Sequence, residues 1–189
     1  MRESLGALNA LYPSLTVLAG AVVNGRENFI TIAHVGILNH GKTPYISVSI
    51  AKEHHTTKGI HAHRAFSVNI PGENLVAETD YCGLVSGKTS DKAALFDIFY
   101  GETDFAPMIR QCPVCMECRL HSVIDLNSHD VFVGEVVRTH ANPDVLTNGK
   151  VDITKLRPLL FDMASKKYWS IGQPVADCWS IGKTIKDRT

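Results

Sequence analysis

A chain of 189 residues, 44% hydrophobic and 20% charged, has enough apolar surface for one sizeable core and is cramped for two domains, which excludes a disordered or fibrous protein. Its 19 Lys and Arg balance 19 Asp and Glu, so no net field draws in nucleic acid or an anionic membrane, and any bound anion must be held locally. Residues 1–18 contain no apolar run of signal-peptide length, and no stretch reaches the roughly 18 apolar residues of a membrane span, so the chain reads as cytoplasmic.

Residues 15–23 are apolar and β-branched, Asn24-Gly25 supplies the positive-φ pair of a tight hairpin turn, and residues 29–35 alternate again. Residues 45–50 place Tyr45, Ser47 and Ser49 on one face of a strand and Ile46, Val48 and Ile50 on the other. Residues 56–64 lack strand alternation and predict a short helix, followed by a strand over 65–70 that Pro71-Gly72 stops. Two more helices are predicted over 74–81 and 91–100. After Pro113, residues 116–126 and 131–140 predict a second hairpin across the turn-forming Asn127, Ser128, His129 and Asp130. Asn148-Gly149 marks another turn, and 168–172 a last short strand before a polar tail that holds Trp179. Strands dominate and helices interrupt them irregularly. The expected fold class is therefore mainly β, a closed antiparallel barrel with helical insertions, and not a doubly wound parallel sheet.

Five cysteines, Cys82, Cys112, Cys115, Cys118 and Cys178, are an odd count without an export signal, so reduced thiols are expected. Cys112-Pro113-Val114-Cys115-Met116-Glu117-Cys118 begins like a ferredoxin cluster, but Ser122 stands at the fourth ligand position. On a strand, Cys115 and Cys118 face opposite ways and cannot converge on one metal without a bend. Buried inert thiols are the favoured reading, with a redox-active pair and a metal or cluster as the alternatives. Residues 36–43, Gly-Ile-Leu-Asn-His-Gly-Lys-Thr, satisfy the phosphate-loop pattern GxxxxGK[ST], yet Pro44 and an alternating strand follow where that loop requires a helix. A triphosphate-binding module is disfavoured on that ground.

His54, His55, His61 and His63 crowd one connection with no carboxylate at ligand spacing, which suits anion donors or solvated loop histidines better than a metal. Ser49 closes a strand while Thr56 and Thr57 open a helix. Hydroxyls and helix-start amides there suit either a dianionic phosphate or a plain N-cap. The run Ser86-Gly87-Lys88-Thr89-Ser90-Asp91-Lys92 sets two lysines and three hydroxyls around a glycine, fit for an anion or for an exposed capped turn.

Taken in order, Val22-Val23-Asn24-Gly25 with Asn28-Phe29-Ile30-Thr31, then Pro44-Tyr45-Ile46-Ser47-Val48-Ser49-Ile50, resemble the flavoredoxin branch of the flavin reductase-like family. His54-His55-Thr56-Thr57-Lys58-Gly59-Ile60 resembles that family's phosphate-side segment and Phe66-Ser67-Val68-Asn69-Ile70-Pro71 its next strand. Gly83-Leu84-Val85-Ser86-Gly87 with Asp91-Lys92 resembles its GxxSGxxxDK element, and Pro113, Glu117 and Cys118 also fall on its pattern. The resemblance covers roughly residues 12–172 and implies one FMN-binding split-barrel domain over 1–189, Greek-key-like and antiparallel, with a tail over 173–189. It further implies FMN bound non-covalently at a homodimer interface and reduced by NADH, NADPH or another redox protein. Residue by residue, it places Asn28, Thr31, Ala33 and His34 on the flavin or ribityl side, and Ser49, His55, Thr56, Ser86 and Lys92 on the ribityl and phosphate side. His55 stands where the family commonly has Tyr, and Cys115 where it more often has a polar residue without a thiol. No catalytic triad is required, since the flavin carries the hydride and electron chemistry.

Overall fold

The computed structural model describes residues 1–186. Seven strands form one antiparallel sheet: β1 (Val17–Val23), β2 (Arg26–Ile32), β3 (Val35–Ile37), β4 (Tyr45–Ala51), β5 (Ala65–Ile70), β6 (Val114–Asp125) and β7 (His129–Ala141). Their order is β2-β1-β5-β6-β7-β4-β3. The β1–β2 hairpin turns on Asn24 and Gly25, with φ of 52° and 76°, and Val23 pairs with Arg26. Both turn residues lie in the left-handed region, which matches the right-handed twist of the strands they join. The sheet curls into a half-barrel whose ends, β2 and β3, are linked by Ala33-His34 and share no ladder. The barrel is therefore split, not closed as the strand pattern alone suggested, because no strand pairing bridges the link.

Alternation along the strands builds two cores. Val17, Ala19, Ala21, Ile30, Ile32, Val48, Ile50, Phe66, Val68, Cys118, Leu120 and Phe132 fill the barrel interior. The helix α1 (His55–His63) plugs it with Ile60, and a Cβ at Gly59 would strike the Val22 carbonyl, so only glycine allows this close approach. On the outer face Leu18, Phe29, Cys82, Phe96, Met108, Ile109, Cys112 and Cys115 pack under α2 (Val76–Leu84) and the segment 91–112. The strand β1 is thus buried on both faces. Asn69 ties the layers together: its Nδ2 donates to Leu18 O (3.0 Å) and its Oδ1 accepts from Ile109 N (2.9 Å). Ser67 Oγ donates to the Pro107 carbonyl beside it.

The helix expected over 74–81 is realised as a 3₁₀ turn, Glu73–Leu75, running into α2. The helix expected over 91–100 is absent. The Asp91 carboxylate accepts from Ala93 N (3.1 Å) and Ala94 N (3.3 Å), a single 3₁₀ turn spans Ala93–Leu95, and Ile98–Phe99 then pairs with Met108–Ile109. Burial of Phe96, edge-on to Phe29 at 5.6 Å between ring centroids, draws the chain inward and outweighs the helical tendency of Ala93-Ala94-Leu95. Residues 36–43 lead into β4, and Asn39 closes that loop by donating to Thr43 O (3.1 Å) and accepting from Tyr45 N (2.6 Å). No helix opens at Lys42-Thr43 to hold a triphosphate.

Candidate functional site

Two clefts open at the two ends of β2. The first, about 670 Å³, is lined by Arg26, Glu27, Asn28, His55 and the run Gly87 to Asp91. Asn28 projects from β2, and its Nδ2 donates to Thr56 Oγ1 (2.7 Å) in the first turn of α1, fixing strand to helix start. His55 is the first residue of α1, whose N-cap His54 makes no side-chain cap bond and whose first turn carries no acidic residue. The positive end of the helix is thus left without a side-chain anion. A Cβ at Gly87 would collide with Asn28 Oδ1 and lie 3.2 Å from His55 Cδ2, so the loop backbone closes against both side chains. His55 Nδ1 is buried with no hydrogen-bond partner. Lys88, Thr89 and Ser90 complete the rim, and Ser86 Oγ accepts from Lys88 N (3.3 Å).

The second cleft, about 520 Å³, is lined by Tyr12, Ala33, His34, Ser47, Ser49 and His129, with Asn9, Leu11, Ser14, Val35 and Leu126 around them. Tyr12 Oη lies 3.3 Å from His34 Nε2, and the His34 and His129 rings meet edge-on at 6.0 Å. The turn carrying His129 is clamped to α1: Asp130 accepts from His61 Nε2 (2.8 Å) and pairs with Lys52 (3.2 Å), which hold its carboxyl below the usual range.

His54 stands between the clefts. Burial lowers its pKa against the opposing pull of Glu53, and Lys92 and Lys88 from the first cleft's side and His129 from the second lower it further. His55 is lowered in the same way, by burial and by Lys58, Lys88 and Lys92. Both imidazoles are therefore biased toward the neutral form, in which one ring nitrogen donates and the other accepts.

Of the residues singled out in the sequence, Asn28 and His55 line the first cleft, Thr56 and Ser86 lie behind it, bonded to Asn28 and to the Lys88 amide, and Ala33, His34 and Ser49 line the second. Thr31 points elsewhere, donating to the Thr79 carbonyl under α2. Lys92 is buried, and its ammonium donates to Cys82 O (3.0 Å) and Val85 O (3.3 Å), closing the C-terminal end of α2. It lies outside the helix expected around it. Tyr12 and His129 join the second cleft without any signal in their own sequence neighbourhoods. Of the four clustered histidines, His61 bonds to Asp130 and His63 stacks on Phe105 at 4.1 Å. Among the described residues no group of His, Cys, Asp and Glu is placed to hold a metal ion.

Cys115 and Cys118 do face opposite sides of β6, the first in the outer core and the second inside the barrel. Burial pushes the Cys115 thiol up to about 12, and Cys112 and Cys118 higher still. Thiols so desolvated are poor nucleophiles.

The flavin reductase like domain model matches residues 9–170. The chain belongs to that family. The fold of this flavin reductase-like chain matches a flavoredoxin from Methanosarcina acetivorans at TM-score 0.95 and 36% identity, covering 98% of this chain and 99% of the other. It matches the flavoredoxin of Desulfovibrio vulgaris (Miyazaki F) at TM-score 0.88 and 32% identity, covering 96% and 100%. An FMN-binding protein from Thermus thermophilus shares the fold at TM-score 0.78 and 23% identity, covering 94% and 97%. An uncharacterized Aeropyrum pernix protein is 29% identical over 85% of this chain, which spans 62% of that relative's length. Among the described residues no helix is long and apolar enough to cross a membrane.

Proposed function

We propose that the chain is a flavoprotein oxidoreductase that holds FMN non-covalently across the two clefts, at the interface of a homodimer, and passes electrons from NADH or NADPH through it. The observation that carries this reading is the pairing of an anion-suited cleft with a neutral, ring-lined one on either side of His54, in a flavin reductase-like chain. The first cleft fits a phosphate. The α1 start, the Gly87 amide, the Ser90 hydroxyl and the Lys88 ammonium are donors, and the unpartnered His55 Nδ1 marks a polar site without a protein partner. The second fits the flavin ring system, with Ala33 leaving space and His34, Ser49, Tyr12 and His129 offering hydrogen bonds.

Bound FMN would supply hydride acceptance and stepwise electron transfer. The chain's own work is to bind, orient and shield. Asn28 couples the β2 strand to the α1 start, so ribityl and phosphate contacts share one rigid frame. His54 and His55, held toward neutrality by burial, would offer the ligand hydrogen bonds without adding cations.

A second reading, an electron carrier reduced by a protein partner, is favoured by the 36% and 32% identity to two flavoredoxins. Anaerobic addition of NADH or NADPH to the FMN-loaded protein separates the two: bleaching of the flavin within seconds supports the reductase, and bleaching only with a redox protein supports the carrier. A protein that binds riboflavin as tightly as FMN would overturn the phosphate assignment.

A further inference from the structure

The two terminal segments each carry several large apolar side chains in solvent. In residues 1–11 these are Leu5, Leu8 and Leu11, and in 170–186 Val175, Trp179 and Ile185; each leaves between 59% and 99% of its surface exposed. Together the six present on the order of 900 Å² per chain, and one side of a standard stable interface is about 800 Å². Scattered exposed apolar residues are ordinary, but terminal arms studded with them mark a contact surface. The Methanosarcina acetivorans flavoredoxin matches 98% of this chain at TM-score 0.95, so most of both terminal segments has a counterpart there.

The receiving surface lies at the base of the N-terminal arm. Beside the edge strand β3 an apolar mouth of about 340 Å³ opens onto the barrel core, lined by Leu15, Val17, Val35, Ile37, Ile46 and Met116 among others. Ile37 and Leu38 stand exposed on its rim.

We infer that this mouth seats the C-terminal arm of a second copy of the chain, with Trp179 as the anchor. The inference deepens the homodimer proposed above and rests on it. A rigid indole is the side chain that most often fills the central pocket of an interface, and this one has no pocket of its own. Each copy gives one C-terminal arm and receives one, so the exchange closes on a twofold axis.

Sedimentation velocity on the full chain tests it. Trp179→Ser, at a solvent-exposed position, is expected to raise the dimer dissociation constant about tenfold or more while the circular dichroism stays that of the parent. Cys178, beside Trp179, is exposed, and Cys82, Cys112, Cys115 and Cys118 are buried, so a short bis-maleimide finds one native thiol. In Ile37→Cys the reagent should link two copies, and the product should vanish in Ile37→Cys with Cys178→Ser. Unchanged dimer affinity in Trp179→Ser, a cross-link formed within one chain, or no Cys178-dependent product overturns the arm exchange and leaves the dimer standing. A parent chain that sediments as a monomer at micromolar concentration overturns both.

Discussion

The two clefts beside His54 are built by different means. The first takes most of its donors from connections, the α1 start and the loop from Ser86 to Asp91, with Arg26, Glu27 and the bracing Asn28 at the start of β2. The second takes Ser47 and Ser49 from the strand β4, Ala33 and His34 from the end of β2, and His129 from the start of β7. Backbone amides and a helix end suit a compact anion, whose charge tolerates small displacements. Side chains on paired strands suit a planar ring, which needs fixed walls. The difference implies that charge and loop closure govern the first cleft, and strand anchorage the second.

Substitution at Gly87 should break that contrast most sharply. In Gly87→Val the new side chain meets Asn28 and His55, and FMN affinity should fall about 10- to 100-fold, with riboflavin much less affected. Calorimetric titration of both flavins measures it; equal losses would place the phosphate elsewhere. The two lysines come next, and they should part company. Lys92→Met leaves the Cys82 and Val85 carbonyls unpaired and should lower stability by about 1–3 kcal/mol in denaturant titrations, whether or not flavin is present. Lys88→Ala should leave stability alone and weaken FMN about 3- to 10-fold at low salt, the difference shrinking as ionic strength rises. If Lys92→Met instead weakens FMN and spares the fold, its ammonium serves the ligand.

The second cleft should show its own dependence, on acid. The Asp130 carboxyl is held below its ordinary value by His61 and Lys52, so the clamp contributes stability above the unfolded-state pKa of about 3.9 and loses it as pH falls through the lower folded value. In Asp130→Asn that acid-dependent component should disappear, read as a flatter stability-against-pH profile below about pH 4. The smallest effect belongs to Cys115→Ser. A serine hydroxyl can keep the bond to the Ile109 carbonyl, and flavin content and reduction rate should match the parent. Lost turnover with flavin retained would assign the thiol a redox part.

The β1–β2 hairpin is legible in the sequence because its determinants are local: alternation on both sides of Asn24-Gly25 and a positive-φ pair between them. Ala65–Ile70 is equally plain, bounded by Pro71-Gly72. What escapes local reading is set by distant partners. Residues 91–100 carry helix-forming alanines, but Phe96 is claimed by the outer core and Lys92 by carbonyls of α2. The second cleft joins Tyr12, His34 and His129, residues from three separated stretches, and nothing near His129 distinguishes it from an ordinary turn histidine. The first cleft was more visible, since Asn28, His55 and Ser86 sit within motifs whose order resembles the family's.

The burial of β1 on both faces has a kinetic consequence. Val17, Ala19 and Ala21 look into the barrel, while Leu18 looks outward beneath Phe29 and Met108, and ladders on both edges tie the strand to β2 and β5. Solvent reaches the amides of Leu18, Ala19 and Gly20 only after both cores and both ladders open together. Their hydrogens should exchange at the rate of global unfolding, and the amides around Gly87 by local opening long before.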